Sequence, residues 1–177
     1  MKERNHSPEG ITLVVLTRDE EPSLREMLPR ALPLVESVLV MDGHSTDNTR
    51  EVAQALGARV VLDSGHGKGA AIREAFALVK TDVAVLIDAD GSHDPDDIPA
   101  LVAPIRAGEA DLVVGSRTRG GSDELHGDLP KFLRMIGSDI ITLTINYRWD
   151  IRLSDSQNGY KAIRKIIVVP QRMINIV

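Results

Sequence analysis

Two aspartates separated by one small residue, Asp88 and Asp90, end a short apolar run of the sequence. In an extended chain, residues two apart face the same way, so both carboxylates would point to one side. Two like charges this close are unfavourable unless a cation lies between them or one carboxyl is protonated. Carboxylate oxygens suit Mg²⁺ or Mn²⁺, which commonly bridge carboxylates and substrate phosphates. The pair therefore predicts a metal site; the alternatives are solvated strand-end acids or an acidic pocket like that of response regulators.

A glycine-rich stretch, Gly65-His66-Gly67-Lys68-Gly69, leads into a helical pattern. Bare backbone N–H groups and one cation near a helix N-terminus form a natural anion site. With Ala70, the stretch also fits the dinucleotide fingerprint G-x-G-x-x-A, and Asp88 follows about twenty residues later, as that motif requires. The fingerprint normally opens the first βα unit, whereas this stretch follows the third predicted strand. A Walker phosphate loop does not fit, because no Ser or Thr follows Lys68.

The elements that must position these residues alternate along the chain. Short β-branched runs separated by helical patterns predict an α/β fold with a mostly parallel central sheet and helices on both faces. Asp94 before Pro95 is a helix-start signal, and Thr46 or Asp47 can cap the second helix. We predict strands over Ile11–Leu16, Ser37–Met41, Arg59–Leu62, Val83–Ile87 and Leu112–Val114, and helices over Glu20–Val35, Asp47–Leu56, Gly69–Val79 and Pro95–Ala107.

Polar residues follow each predicted strand. Ligands of an open α/β sheet bind outside the carboxyl ends of its strands, so acidic groups, glycines and arginine would converge on one rim. There Asp42 could accept hydrogen bonds from a base or a ribose. The rim segments are Arg18–Glu20, Asp42–His44, Asp63–Gly69, Asp88–Asp90 and Gly115–Arg117.

The composition narrows the classes of partner. The 177-residue chain has a formal net charge of -5, whereas a nucleic-acid binder has a basic footprint, so we expect no nucleic acid. The absence of cysteine excludes disulfides and thiolate metal sites. No apolar stretch reaches the roughly 18–20 residues that span a bilayer. Because Met1–Gly10 is also not a secretory signal, we expect a cytoplasmic protein, with any membrane contact peripheral and at the cytoplasmic face.

Six stretches in unbroken order resemble motifs of inverting family-two glycosyltransferases, particularly the dolichyl- and polyprenyl-phosphate mannose and glucose synthases. The resemblance implies the GT-A fold, a Rossmann-like fold of nucleotide-diphospho-sugar transferases, with residues 1–165 as the catalytic domain. Family members usually continue with a further strand and a basic loop. Because residues 166–177 resemble neither, we expect the family's C-terminal segment to be missing from this short tail. The stretches are LTRDEEPSL, VMDGHSTDNT, HGKGAAIREAF, LIDADGSHDPDDIP, DLVVGSR and DSQNGYKAIRK.

The resemblance implies a role for individual residues at the donor end. Ser92 stands where a glutamine beside the metal is common, which leaves a third protein ligand open. The implied donor site has three groups: Glu20, Val40 and Asp42 at the base and ribose, Gly67, Lys68 and Gly69 beside the nucleotide, and Asp88, Ala89 and Asp90 at the ribose and metal-diphosphate.

At the acceptor end, the resemblance implies that Arg117, Arg134 and Ser138 receive a phosphate and that Asp155 borders the reacting sugar, where it orients the acceptor or acts as base. A phosphate monoester is largely anionic near neutral pH, with a second pKa near ~6, so it needs cations more than a base. The segment Pro130–Trp149 carries an apolar stripe at helical spacing, which suits either a membrane interface or the core. The five histidines lack metal-ligand spacing, and we assign them no catalytic role.

The implied function is metal-dependent, inverting transfer of a hexose to a polyprenyl or dolichyl phosphate, with GDP-mannose or UDP-glucose as donor. Two alternatives remain. One is a GT-A transferase that uses a soluble acceptor such as a sugar or phosphoglycerate. The other is a nucleotide-sugar binding module without turnover, which the short tail suggests.

Overall fold

The structure, a computed structural model, describes residues 9–115 and 158–165. The chain divides into two compact units, Met1–Val113 with Tyr160–Ile166 and Val114–Gly159 with Ile167–Val177. Nearly all the described residues belong to the first unit. The expectations that lie outside the described residues concern Arg117, Arg134, Ser138, Asp155, the segment Pro130–Trp149 and the tail over residues 166–177.

The described residues contribute six strands to one sheet. The strands are β1 (Ile11–Thr17), β2 (Ser37–Asp42), β3 (Arg59–Leu62), β4 (Val83–Asp88), β5 (Leu112–Val114) and β6 (Lys161–Arg164). Their order is β3-β2-β1-β4-β6-β5. The pairs β1–β2, β1–β4 and β2–β3 are parallel, whereas β6 runs antiparallel to β4. The predicted mostly parallel sheet is confirmed, and the antiparallel strand is an addition to it.

Helices cover the sheet on both faces, as predicted. The described α-helices are α1 (Glu21–Ala31), α2 (Thr49–Ala55), α3 (Lys68–Leu78) and α4 (Ile98–Arg106). Alternation along β1 divides the core, because Leu13 and Val15 point to one hydrophobic cluster and Val14 to the other. The first cluster contains buried residues of α1, α2 and α4, and the second contains Ala75 of α3. No helix in the described ranges is long and apolar enough to cross a bilayer.

Proline determines where two predicted helices depart from regular α-helix. The helix predicted over Glu20–Val35 is α only to Ala31 and continues as a 3₁₀ turn over Leu32–Leu34. Pro33 lies in that turn and lacks the N–H that would continue the α-helical pattern. The helix predicted over Pro95–Ala107 begins with a 3₁₀ turn over Pro95–Asp97.

Of the two predicted helix-start signals, Asp94 is confirmed, whereas the N-cap of the second helix is neither Thr46 nor Asp47. The side chain of Asp94 accepts a hydrogen bond from the N–H of Asp96 at 3.0 Å, which confirms Asp94 as a cap. The N-cap of α2 is Asn48, and the carboxylate of Asp47 accepts from the N–H of Thr49 at 3.0 Å. Both acids satisfy an N–H that has no partner within its helix.

Candidate functional site

A cavity of about 630 Å³ opens at the carboxyl ends of β1, β2 and β4. This is where ligands of open α/β sheets bind, and it is the rim that the sequence predicts. Strand ends and the loops that follow β2, β3 and β4 form its walls. The lining residues are Leu16, Thr17, Arg18, Glu20, Met41, Gly43, His44, Asp63, Gly65, Gly67, Lys68, Ala71, Asp88, Ala89 and Asp90.

A glycine loop, residues 63–69, forms the wall next to α3. Gly67 is the N-cap of α3 and has a φ of 85°, a left-handed conformation that favours glycine. One side chain of the loop and one of α3 hold it, because Asp63 Oδ1 accepts from the N–H of Gly65 at 2.8 Å and Glu74 Oε2 accepts from that of Ser64 at 3.1 Å. The loop therefore presents the start of an eleven-residue helix to the cavity.

The acidic end of β4 forms the opposite wall. The Nζ of Lys68 lies 2.7 Å from Oδ1 and 2.8 Å from Oδ2 of Asp88, so one ammonium contacts both carboxylate oxygens. Ala89 is buried and donates its N–H to the carbonyl of Leu16 at 3.1 Å. This backbone bond fixes the chain between the two acids and attaches it to β1.

Asp90 lies just beyond the end of β4, with its side chain exposed to the cavity. Its Oδ1 accepts from the N–H of Ser92 at 3.0 Å. Hydrogen bonding from Ser92 lowers the pKa of Asp90 below its ordinary value, with smaller contributions from the charges of His93 and Lys68. Asp90 is therefore a carboxylate at neutral pH and is available to a ligand.

These carboxylates fit a divalent ion that is shared with a substrate. Within the described ranges, no group of three or more His, Cys, Asp or Glu side chains is arranged to hold a metal by itself. Two hard carboxylates, Asp88 and Asp90, nevertheless line one cavity. Mg²⁺ is commonly held by one or two carboxylates plus substrate phosphates, rather than by a cage made only of protein. The donor set agrees with that mode of binding.

Asp42 lies at the end of β2 and is fully buried. Its Oδ2 accepts from the N–H of Ser45 at 3.1 Å and lies 3.8 Å from Nε of Arg50. In the part of the chain that the structure describes, its Oδ1 has no hydrogen-bond partner, and neither has Oγ1 of Thr17, the residue opposite it on β1. Two buried oxygens without partners at the edge of a cavity are costly unless a ligand or water reaches them.

The structure brings six of the predicted donor-site residues to the cavity and leaves three away from its surface. Val40 and Asp42 are buried in β2, and Gly69 lies in the first turn of α3; their predicted contacts with a donor stay predictions. The six residues that line the cavity are Glu20, Gly67, Lys68, Asp88, Ala89 and Asp90.

His44 belongs to a predicted rim segment and lines the cavity, although no catalytic role was predicted for it. Its φ of 64° is unusual for a residue other than glycine, and such strain is concentrated at functional sites. Its Nε2 lies 3.1 Å from the carbonyl oxygen of Asp63, so the side chain joins the loop after β2 to the glycine loop. The predicted rim segments do not include four other lining residues, because these lie within strands or a helix rather than in the polar segments that follow the strands: Leu16, Thr17, Met41 and Ala71.

The chain is similar to glycosyltransferases in sequence. Residues 12–168 match the family described as Glycosyl transferase family 2. The chain is 29% identical over 160 residues to the low-salt glycan biosynthesis hexosyltransferase Agl6 of Haloferax volcanii, and the match covers 88% of this chain and 38% of that protein. It is 28% identical over 169 residues to the dolichol-phosphate mannosyltransferase of Pyrococcus furiosus, covering 89% of this chain and 47% of that protein. The chain thus spans about half or less of the length of these relatives.

A solved structure agrees with the sequence match. The glucosyl-3-phosphoglycerate synthase of Mycobacterium tuberculosis, in complex with Mn²⁺ and uridine-diphosphate-glucose, superposes with a TM-score of 0.64 at 25% identity. The similarity covers 88% of this chain and 56% of that one. Because the family match extends over most of the sequence and the sheet, helices and cavity have the expected arrangement, the chain belongs to glycosyl transferase family 2.

Proposed function

We propose that the cavity is the donor site of a metal-dependent hexosyltransferase and binds a nucleoside diphosphate sugar. The observation that carries this proposal is the meeting of Lys68, Asp88 and Asp90 in one cavity at the carboxyl ends of parallel strands. A diphosphate needs cations and backbone donors, and a divalent ion needs carboxylates. This cavity supplies both kinds of group within one space.

Different residues of the cavity would bind different parts of the donor. The glycine loop and Lys68 would receive the diphosphate, since backbone N–H groups and a helix N-terminus favour anions. When bound, Mg²⁺ or Mn²⁺ would be held by Asp88 and Asp90 and would offset the negative charge that develops on the nucleoside diphosphate leaving group. Ala89 would let the donor approach the backbone between the two acids.

The base and ribose would bind at the end formed by β1 and β2. Glu20 lines the cavity there, with Val40 and Asp42 behind it. Thr17 lines this end of the cavity, and among the described residues its Oγ1 and the Oδ1 of the neighbouring Asp42 are buried without a hydrogen-bond partner. A nucleobase or ribose carries the N–H and O–H donors that such oxygens accept, provided that a local shift exposes them to the ligand. GDP-mannose and UDP-glucose both fit this description.

A polyprenyl or dolichyl phosphate is the acceptor that we favour. The similarity to a dolichol-phosphate mannosyltransferase supports a lipid phosphate. The acceptor phosphate would be received by Arg117, Arg134 and Ser138, because arginine's planar fork suits phosphate. Asp155 would orient the acceptor or act as base, and the transfer would invert the sugar's anomeric configuration.

A soluble phosphorylated acceptor is the second candidate. The structural similarity to a glucosyl-3-phosphoglycerate synthase supports it. Lipid phosphates and phosphoglycerate share an anionic phosphate monoester, so the same basic residues would serve either. The two candidates differ in the attacking atom. A lipid phosphate would attack through a phosphate oxygen, which needs little help from a base, whereas phosphoglycerate would attack through a hydroxyl oxygen, whose proton a base such as Asp155 would accept.

Transfer assays on the purified 177-residue chain would separate these possibilities. Radiolabelled GDP-mannose and UDP-glucose would each be supplied with Mn²⁺ and with detergent-solubilised dolichyl phosphate, with 3-phosphoglycerate, or with no acceptor. We expect labelled lipid with one donor, and none with the Asp88→Asn variant. Labelled phosphoglycerate would favour the soluble acceptor. Donor binding without any product would favour the binding module, and absence of donor binding would contradict the proposal.

A further inference from the structure

The pairing of Lys68 with Asp88 is unusual for a site expected to hold a metal. Nζ lies 2.7 and 2.8 Å from the two carboxylate oxygens, so both of the atoms that could bind an ion are already engaged by a cation of the protein itself. The side chain of Asp88 is 23% exposed and lines the cavity, so its pairing with Lys68 takes place where a ligand would bind.

Lys68 can leave this carboxylate without disturbing the fold. Its side chain is 56% exposed and its ammonium is carried by a flexible four-carbon stem with three rotatable donors. It is the first residue of α3, directly after Gly67, and its whole environment is the open cavity rather than the core. Rotation of the side-chain torsion angles of Lys68 therefore moves its ammonium to another part of the same cavity with little loss of packing.

A divalent ion and the ammonium cannot both lie against Asp88 without strong repulsion, since like charges a few ångströms apart repel strongly in a partly desolvated site. Lys68 and Asp90 line the same cavity, so the positive charge of Lys68 also acts on Asp90. Both predicted ligands of the ion are thus influenced by one lysine. An ion that binds alone must displace Lys68 and leave it without a partner.

We propose that Lys68 is a positioning residue that exchanges partners, pairing with Asp88 in the free protein and with the donor's diphosphate when cation and nucleotide bind together. The inference rests on the proposed donor site. As a consequence, the binding of the cation and the binding of the nucleotide are coupled. The ion alone competes with Lys68 for Asp88, and the nucleotide alone finds Lys68 paired with Asp88. When both bind, the ion takes Asp88 and the diphosphate takes Lys68, so each ligand favours the other. Cation and nucleotide therefore bind as a unit, and free metal is kept out of the empty site.

Titration of Mn²⁺ followed by electron paramagnetic resonance tests the exchange, because free and bound Mn²⁺ give different signals without any turnover. We expect UDP or GDP to tighten Mn²⁺ binding to the wild-type chain by a factor within the usual range of coupling, roughly 5–150-fold. In Lys68→Met, Mn²⁺ alone should bind more tightly than to wild type, and the nucleotide should add little. The coupling factor should approach one.

Two further variants test whether the change in Mn²⁺ affinity is specific to Lys68 and Asp88. Lys80→Met removes the charge of an exposed lysine just beyond α3 that does not line the cavity, and it should behave as wild type. Asp88→Asn in the Lys68→Met background should abolish the gain in Mn²⁺ affinity, since the gain is attributed to a freed Asp88. Circular dichroism and thermal unfolding of each variant would establish that it is folded.

The outcomes separate this inference from the proposed function. If Lys68→Met binds Mn²⁺ no more tightly than wild type while both still show nucleotide-dependent Mn²⁺ binding, the exchange is wrong and the donor site stands. If the wild-type chain binds Mn²⁺ no better with UDP or GDP than without them, the donor site itself is contradicted. If Lys80→Met reproduces the effect of Lys68→Met, the change reflects net charge and the exchange is again wrong.

Discussion

At the scale of single residues, Asp88 and Asp90 lie two positions apart in the sequence but have different chemical environments in the structure. Asp88 is the last residue of β4 and is neutralised by Lys68, which comes twenty residues earlier in the chain. Asp90 follows the strand and receives its hydrogen bond from Ser92. One acid is thus masked by a cation and the other is free to receive a ligand, although the sequence presents them as equivalent.

Replacement of Asp90 by alanine removes the more accessible carboxylate of the pair. We expect Asp90→Ala to abolish the dependence of donor binding on metal, because the ion would keep only Asp88 of its two expected ligands. The Kd of UDP-glucose or GDP-mannose measured by calorimetry should then be the same with Mn²⁺ and with EDTA. Ser92→Ala serves as the control that keeps the carboxylate; a metal dependence that survives in Asp90→Ala would remove this residue from the metal site.

Arg117 is expected to act on the acceptor rather than on the donor. In Arg117→Ala the acceptor KM should rise far more than the donor KM, since loss of a charged hydrogen bond to phosphate costs roughly 1.5–3 kcal/mol, about ten- to a hundredfold. Steady-state kinetics with either substrate varied would measure both constants. Arg106→Ala, on α4, is the control for charge; the opposite pattern would place Arg117 on the donor side.

The sequence could predict which residue types would meet at the cavity, but it could not predict how deeply each would be buried. Glu20, Lys68 and Asp90 follow strand ends and line the cavity, as expected for residues beyond the carboxyl ends of parallel strands. Asp42 occupies an equivalent position at the end of β2 yet is fully buried, because Ser45 and Arg50 fold back over its carboxylate. Such contacts depend on the path of the following loop, which periodicity does not determine.

At the scale of elements, hydrophobic runs predict the first five strands almost to the residue. β3 and β5 have the predicted bounds, and β1, β2 and β4 each extend one residue further into a polar side chain. β6 was not predicted, because Lys161–Arg164 is four residues long and has a charged residue at each end. This segment forms a strand because it pairs with β4, and the tertiary pairing outweighs the weak strand propensity of its own sequence.

The start of α2 supports the turn that carries Glu20. Thr49 is fully buried, and its Oγ1 accepts from the N–H of Glu20 at 2.9 Å. Thr49→Val keeps the shape but leaves that N–H unpaired, so we expect a loss of about 1–3 kcal/mol in the free energy of unfolding. Urea denaturation with an unchanged m-value would measure it. Thr49→Ser retains the hydroxyl and should lose less; equal stability of the valine variant and wild type would show that the bond contributes nothing.

A second contact joins the segment before β6 to the loop beyond the acidic strand end. The Tyr160 hydroxyl donates to the carbonyl of Asp94 at 3.0 Å, and its ring stacks on His93 with centroids 5.2 Å apart. Burial, followed by the charges of Asp97 and Asp94, raises the pKa of Tyr160, so the hydroxyl remains a donor at all ordinary pH values.

Tyr160→Phe keeps the ring and removes the hydroxyl that donates to Asp94. We expect a loss of about 1 kcal/mol in unfolding free energy and weaker Mn²⁺-dependent donor binding, because the loop from Asp90 to Asp94 becomes less constrained. Chemical denaturation and calorimetry would report the two effects. A loss of stability with unchanged donor affinity would make the contact purely structural.

At the scale of the whole molecule, a ligand that binds only the folded chain must raise its melting temperature. A nucleotide sugar and Mn²⁺ at about 100 times their Kd would add about 2.7 kcal/mol, roughly 5–10 °C for a chain of this size. Differential scanning fluorimetry would test UDP-glucose and GDP-mannose, with EDTA expected to reverse the shift. Uridine and guanosine, which lack the diphosphate, should give none; a shift that persists in EDTA would contradict the metal requirement.

The placement of β6 has a consequence for how the protein is made. Among the described residues, β4 pairs with β1 on one side and with Lys161–Arg164, which lie far downstream in the chain, on the other. While the polypeptide is still emerging from the ribosome, the backbone groups of Val83–Leu86 on that side have no partner. A proteolytic fragment that ended at residue 115 would expose the same bare apolar edge and should aggregate through it. The strand that ends at Asp88 is therefore among the last parts of the sheet to be protected.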